Sequence, residues 1–281
     1  MSTIDKLVRG SIDMHIHFGP DPRVERRVDA LQAALQAQEM GMRAIVLKCH
    51  EMPTAQVASV VGQFARNITV FGALSLDEEV GGLNPAAVEA SAKTGAKVVW
   101  MPTFSAAGER QFQKKPGGIS LYRDGGGLRP EVGQIIDLVK KYDMVLCTGH
   151  ISTKESFDLV EEGRRRGLTK MVVTHPLQGA VMAGMSLEEQ KQLAEKGAFI
   201  EHCFLATLPL GGRRDPKELA EAFKAVGAER CILSTDLGQA FNPAPAEGMR
   251  MAIATMLRCG LSEHEIELLV KVNPAKLLGL E

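Results

Sequence analysis

The chain has 281 residues, of which 45% are hydrophobic, and a formal net charge of −1 at pH 7. This length and apolar content suit one domain with a sizeable core, and the near-neutral charge disfavours nucleic acid as a partner. No apolar run is long enough to span a membrane, and residues 1–10 lack the apolar core of a signal peptide. The five cysteines form no CxxC pair. We therefore expect a cytoplasmic protein whose cysteines stay reduced.

Eight short apolar runs predict β-strands, in chain order at residues 11–17, 44–48, 68–74, 96–101, 144–148, 171–174, 198–202 and 231–235. Apolar residues at helical spacing predict helices between and after them, at residues 28–40, 54–65, 84–93, 130–141, 154–166, 186–196, 215–226, 245–259 and 262–269. Two helices have clear start signals, Asn84 followed by Pro85 and a capping box that opens at Ser186. Strands that alternate with helices in this way imply parallel pairing.

Eight strand–helix units indicate an α/β fold, the (β/α)8 TIM barrel, in which functional sites lie at the carboxyl ends of the strands. A doubly wound open sheet is the alternative. The barrel is favoured because histidines follow many of the strands, and only a closed ring brings all strand ends together. We expect a single domain over residues 1–281, without a β-sandwich domain.

Residues 103–129 interrupt the strand–helix rhythm after the fourth strand. The segment is rich in glycine and charge, shows no period, and is too long for an ordinary connection. We expect a long loop over the barrel mouth, where Arg110 and Arg123 would contact an anionic substrate. A mobile, solvated loop without such a role is the alternative.

Histidines at strand ends are the strongest functional signal. His15 and His17 share one face of the first strand, roughly 6–7 Å apart, because side chains alternate along a strand. Four more histidines follow other strands, at positions 50, 150, 175 and 202. Several neutral imidazoles around one cavity are what a divalent transition metal requires.

These residues also occur within longer motifs, which are Asp13-Met-His15-Ile-His17, His150 in CTGHIS, His175 in VVTHP, Asp236 in LSTDLG and the ending NPAKLLG at residues 273–279. In this order and spacing they resemble the metal-dependent amidohydrolase superfamily. The resemblance implies one or two divalent ions, with zinc expected first and manganese or iron as alternatives. It implies the ligands His15, His17, His150, His175 and Asp236. Asp236 would also be the catalytic proton shuttle.

The fourth strand departs from that family pattern. Members with two metals bridge them there by a carboxylated lysine or a glutamate, but here the strand ends Val99-Trp100-Met101 and Lys97 lies too early. The second strand instead offers Lys48 and His50 on one face. Lys48 could be a carboxylated bridge, a cation that holds a substrate anion or oxyanion, or part of a structural ion pair. His50 could contact the metal or substrate, or be a plain loop residue.

The seventh strand ends in Glu201-His202, and a regular strand can point only one of them inward. Either residue could contact substrate or orient a metal-bound histidine. Structural pairing is the alternative for both.

These observations favour a metal-dependent hydrolase that cleaves a C–N or C–O bond in a small, anionic amide, cyclic amide or lactone. Related superfamily members also decarboxylate or hydrate. One alternative is a phosphoesterase resembling the polymerase-and-histidinol-phosphatase family, although the third strand lacks that family's acidic ligand. Another is a Schiff-base lyase that uses Lys48. We expect a small-molecule partner, no nucleic acid and no membrane, and leave open a homo-oligomer through the terminal helices.

Overall fold

All eight predicted strands form in the computed structural model, which describes residues 2–181 and 184–280. They are β1 Ile12–His17, β2 Ala44–Lys48, β3 Thr69–Ser75, β4 Ala96–Trp100, β5 Val145–Cys147, β6 Met171–Val173, β7 Phe199–Cys203 and β8 Cys231–Ser234. Each strand pairs in parallel with the next. The ring closes where Asp236 N donates to His15 O over 2.8 Å and His17 N donates to Leu237 O over 2.7 Å. The predicted (β/α)8 barrel is thereby confirmed, and the described residues include no β-sandwich.

Helices surround this barrel. They are α1 Thr3–Val8, α2 Ala30–Glu39, α3 Ala55–Gly62, α4 Pro85–Lys93, α5 Ala107–Phe112, α6 Pro130–Lys141, α7 Thr153–Arg165, α8 Leu187–Glu195, α9 Pro216–Val226, α10 Pro245–Arg258, α11 Glu263–Glu267 and α12 Asn273–Leu278. Side-chain caps begin many of them, including the predicted capping box at Ser186 and the Asn84 cap before Pro85. No helix in the described ranges is long and apolar enough to cross a bilayer.

The sequence prediction was incomplete at two places. The segment predicted as a loop contains α5, whose six residues are too few to show a periodic pattern. The last predicted helix also continues, since α11 passes through a π-helical turn at Leu268–Val272 into α12. Pro274 lies in the first turn of α12, directly after the π-helical turn.

The inside of the barrel is apolar at its amino end and polar at its carboxyl end. Inward side chains at the amino end form one buried cluster, which includes Ile12, Met14, Val46, Val98, Val145, Phe199 and Ile232. Leu277 and Leu278 of α12 pack into the same cluster and cover this end. The outward side chains of the strands pack against the helices in a second, larger cluster.

A β-bulge in β1 places its two histidines. The pairing with β2 runs from Asp13 opposite Ile45 to Ile16 opposite Leu47, so β1 has one extra residue. The bulge changes which alternate residues face inward, so that Met14 points into the apolar cluster and His15 still points inward. The Asp13 carboxylate accepts hydrogen bonds from His15 N at 3.2 Å and, across the barrel seam, from Thr235 N at 3.1 Å and Thr235 Oγ1 at 2.6 Å. Asp13 therefore braces the irregular backbone beneath the first histidine.

Candidate metal centre

Three side chains meet at the carboxyl end of the barrel, where β1 and β8 close the ring. His15 Nε2 lies 3.1 Å from Asp236 Oδ1, and His17 Nε2 lies 3.0 Å from the same oxygen. All three residues are buried. Around a tetrahedral ion with bonds of about 2.1 Å, neighbouring ligand atoms are about 3.4 Å apart. The observed spacing is close to that value, so small shifts would admit an ion between these atoms.

His150 and His175 face the same region. The ring centroid of His175 lies 5.7 Å from that of His15 and 5.0 Å from that of His150. Nδ1 of His175 is buried and has no hydrogen-bond partner among the residues that the structure describes. Leaving such a group unpaired costs about 1–3 kcal/mol, which an ion would recover. The structure thus brings the five predicted ligand residues together, and their nitrogen and carboxylate donors fit zinc, manganese or iron.

Backbone strain accompanies two of these side chains. His175, two residues after β6, has a φ of +27°, and Asp236, two residues after β8, has a φ of +55°. Residues with a Cβ rarely adopt this region, and such strain persists where the surroundings over-determine it, often at functional sites. Both residues leave their strands at the cavity, so the strained backbone aims their side chains at it.

Carboxylates hold the Nδ1 atoms of two of the histidines. Glu201 Oε2 lies 3.2 Å from His15 Nδ1, and Glu109 Oε2 contacts His150 Nδ1. Such partners fix the ring orientation and the tautomer of a metal ligand. Burial alone would lower the pKa of His15, but the carboxylates of Asp236 and Glu201 outweigh it and raise that pKa. Burial raises the pKa of Glu109 and lowers the pKa of His150, so it disfavours the charged form of each group.

Lys48 projects from the end of β2 into the same cluster. Its Nζ lies 3.0 Å from His15 Nε2 and 4.9 Å from the ring centroid of Trp100. Burial lowers the pKa of Lys48 although the carboxylates of Asp236 and Glu201 act against this shift. Trp100 occupies the inward position on β4. In the family that the sequence resembles, a group that bridges two metals would be expected on this strand.

A cavity of about 250 Å³ opens beside these groups. Its polar lining residues include His17, Lys48, His50, His150, His175 and Asp236. Its apolar lining residues include Val24, Phe104, Leu205 and Leu210. Arg26 also borders the cavity, and it is held by Asp21 through contacts of 2.6 and 2.9 Å in a buried ion pair.

The predicted substrate-contact residues separate into two groups. His50 lines the cavity, and Glu201 points inward onto His15. Arg110 lies in a neighbouring surface cleft, which shares Val24 and Phe104 with the cavity, and it pairs with Glu78 at 2.8 Å.

The other group lies away from the histidine cluster. His202 faces the outside of the barrel, where its ring packs edge-on against Phe223 at 5.0 Å. Strand alternation explains this placement, because Glu201 takes the inward position. Arg123 lines a different surface groove, together with Tyr122 and residues of α7. The structure does not bring His202 or Arg123 to the cavity.

A model of a family of unknown function, DUF6282, matches residues 10–201, which is more than half of the chain. The chain belongs to the DUF6282 family. None of the curated proteins matches it.

Solved structures resemble this DUF6282 chain in fold. An amidohydrolase from Pseudomonas aeruginosa superposes with a TM-score of 0.65 at 16% identity, covering 99% of this chain and 98% of that one. A putative 2-pyrone-4,6-dicarboxylic acid hydrolase from Pseudomonas putida gives 0.62 at 16%, covering 97% and 98%. A 2,6-dihydroxybenzoate decarboxylase from Rhizobium gives 0.61 at 13%, covering 97% and 99%. These similarities are similarities of fold and agree with the predicted (β/α)8 barrel.

Several residues of the site were not among the sequence-based candidates. Arg26 follows the first-strand motif by nine residues, and its role depends on a backbone reversal that carries it back to His17. Glu109 lies on α5, in the segment that shows no periodic pattern. Asp77 follows β3 by two residues and binds Thr103. A search for acidic residues just beyond the strand ends would have found Asp77, but no sequence signal pairs Glu109 with His150.

Proposed function

We propose that this protein is an enzyme, a metal-dependent hydrolase that cleaves a C–N or C–O bond of a small substrate. The observation that carries the proposal is the convergence of His15, His17 and Asp236, with the rings of His150 and His175 beside them, at the mouth of a barrel. These five residues would hold one or two divalent ions, of which zinc suits the donor set best.

A bound divalent ion would polarise the scissile carbonyl and lower the pKa of water towards neutrality. Asp236 is suited to accept a proton and return it to the leaving group. His15 and His17 hold the pKa of Asp236 well below its usual range despite burial, so the carboxylate is ionised. Both histidines contact Oδ1, which leaves Oδ2 as the oxygen that can reach the reacting groups.

The cavity supports a small substrate with an anionic part. Its volume of about 250 Å³ is below the roughly 300–1,000 Å³ typical of sites for drug-sized ligands. Lys48 and Arg26 border it, and either cation could hold a carboxylate or a developing oxyanion. Arg110, in the cleft outside, would contact a larger substituent.

The alternatives have less support. A phosphoesterase of the polymerase-and-histidinol-phosphatase type would need a metal-binding acid after the third strand, and Asp77, which lies there, is occupied by hydrogen bonds from Thr103 and Ser105. A Schiff-base lyase would need Lys48 free to attack a carbonyl, whereas its Nζ lies 3.0 Å from His15 Nε2. Decarboxylation would use the same metal centre, so only identification of the reaction product distinguishes it from hydrolysis.

Elemental analysis and an activity screen test the proposal together. The purified protein should contain one or two equivalents of zinc, manganese or iron, and the panel should comprise small lactones, cyclic amides, N-acyl amino acids, hydroxybenzoates and p-nitrophenyl phosphate. We expect turnover of an amide or lactone that a chelator abolishes and zinc restores. Carbon dioxide or phosphate release, borohydride trapping that is insensitive to chelators, or a protein that binds no metal would overturn the proposal.

A further inference from the structure

His50 is tied to two other side chains by a short hydrogen-bonded series. His50 Nδ1 lies 2.6 Å from Thr103 Oγ1, which in turn contacts Asp77 Oδ2. The other oxygen of Asp77 accepts the backbone N–H groups of Thr103 at 2.9 Å and Ser105 at 2.8 Å. All three side chains are buried. His50 follows β2, Asp77 follows β3 and Thr103 follows β4, and these strands are neighbours in the barrel.

This series determines which nitrogen of His50 carries the proton. Thr103 Oγ1 donates its single hydroxyl hydrogen to Asp77 Oδ2. Thr103 Oγ1 must then accept from His50, which requires an N–H at Nδ1. A neutral imidazole has one N–H, so Nε2 of His50 carries a lone pair and no hydrogen.

The ring of His50 is also fixed by stacking. Its centroid lies 4.1 Å from that of Phe104 and 4.9 Å from that of His17, and the planes of His50 and His17 are only 17° apart. Rings stacked in this nearly parallel way do not converge on one ion. Among the described residues, three groups of possible ligand atoms lie within 4.8 Å of one another, and none of them includes His50. The group beside the cavity is His15, His17 and Asp236. His50 therefore borders the cavity next to the metal-binding group.

We propose that His50 is a catalytic residue whose Nε2 accepts a hydrogen bond from an N–H of the substrate, and that Thr103 and Asp77 are the residues that position it. This inference rests on the proposed hydrolase function and narrows its substrate class. A site that presents a bare acceptor favours a secondary or cyclic amide, whose N–H it binds, over a lactone, which has no such donor.

Nitrogen NMR of the histidine side chains tests the tautomer without metal or substrate. Long-range proton–nitrogen spectra of the full chain should show His50 with its proton on Nδ1, and His50→Gln identifies the resonances. Thr103→Ser should preserve this state, and Thr103→Val should shift the proton population towards Nε2. A proton on Nε2 in the unmodified protein would overturn the assignment, even if the Thr103→Val variant fails to fold.

A pair of hydroxamates tests the contact with a ligand. Acetohydroxamic acid has an N–H, and N-methylacetohydroxamic acid lacks it. In the zinc-loaded protein, we expect His50→Leu to reduce the ratio of the two affinities by about fivefold, as measured by calorimetry, because one neutral hydrogen bond is lost. His264→Leu is the matched control at an exposed histidine and should leave the ratio unchanged.

Zinc content separates the remaining outcomes. His50→Leu should keep the same zinc stoichiometry as the unmodified protein, and a loss of zinc would make His50 a ligand and overturn its role as acceptor. An unchanged hydroxamate ratio would also overturn that role. A protein that binds no zinc would refute the hydrolase proposal, whereas the metal-free NMR spectra would still decide the tautomer of His50.

Discussion

The two ends of the barrel interior follow opposite rules. At the amino end, Ile12, Val98 and Ile232 pack with their neighbours into a buried apolar cluster that α12 covers. At the carboxyl end, only a few ångströms along the same strands, the inward positions hold Lys48 and Glu201, together with histidines and an aspartate. Burying ionisable groups costs free energy unless they are paired, and burying apolar side chains lowers it.

This contrast shows that the two ends of the same strands have different roles: the amino end contributes stability, and the carboxyl end forms the candidate site. Apolar burial at the amino end stabilises the fold. It offsets the free-energy cost of the polar carboxyl end, where His175 and Asp236 have strained, positive φ values. Functional sites commonly reduce stability in this way. Substitutions at the two ends should therefore change different measured quantities.

The largest expected effect is on metal content and activity. His15→Ala should lose the ion and reduce turnover of an amide or lactone by at least about a thousandfold, which is about 4 kcal/mol of transition-state stabilisation. Zinc analysis and kinetics measure the two quantities. A His15→Ala protein that keeps its metal and its activity would contradict the assignment of the site.

The reverse pattern is expected at the amino end. Ile232→Ala should reduce the free energy of unfolding by about 2–5 kcal/mol, because it leaves a cavity in a packed cluster. Ile232→Val is the graded control, with an expected loss of about 0.5–1.5 kcal/mol. Zinc affinity, measured by calorimetry at a temperature where both variants are folded, should not change. A loss of affinity that parallels the loss of stability would show that the two ends are not separable.

A smaller effect is expected from the carboxylate that orients His15. Glu201→Gln keeps the size of the side chain but removes the charge that faces His15 Nδ1 at 3.2 Å. Zinc affinity should fall about 10–100-fold, as is typical when such a partner is lost. Glu195→Gln, at an exposed position on α8, is the matched control. Unchanged affinity in Glu201→Gln would mean that Glu201 has only a packing role.

The sequence was sufficient to predict the eight strands and the grouping of His15, His17, His150, His175 and Asp236 at their carboxyl ends, because parallel strand ends meet at one mouth. It was not sufficient at β1, since the bulge changes the alternation between Met14 and His15 and no local pattern marks it. The pairing of His150 with Glu109 could not be predicted either, because Glu109 lies 41 residues earlier on a six-residue helix. Contacts of this kind depend on tertiary packing, which periodicity does not report.

Strand alternation at β7 required one of two neighbouring residues to point outward, and the structure identifies it as His202. Its ring is buried against Phe223, and neither nitrogen has a partner among the residues that the structure describes. Burial lowers the pKa of His202 to about 3. The unfolded chain therefore takes up a proton near pH 6.5 that the folded protein does not, so stability is lost as the pH falls from about 6.5 towards 3.

His202→Leu should remove this part of the pH dependence. Between pH 7 and pH 5, the free energy of unfolding should fall by about 2 kcal/mol less in His202→Leu than in the unmodified protein. Comparing the two pH values within each protein cancels any constant packing change at this site. His264→Leu, at an exposed histidine, should keep the full pH dependence. Equal slopes for the unmodified protein and His202→Leu would mean that the outer histidine is solvated, and that the inward–outward alternation at the end of β7 differs from the one described.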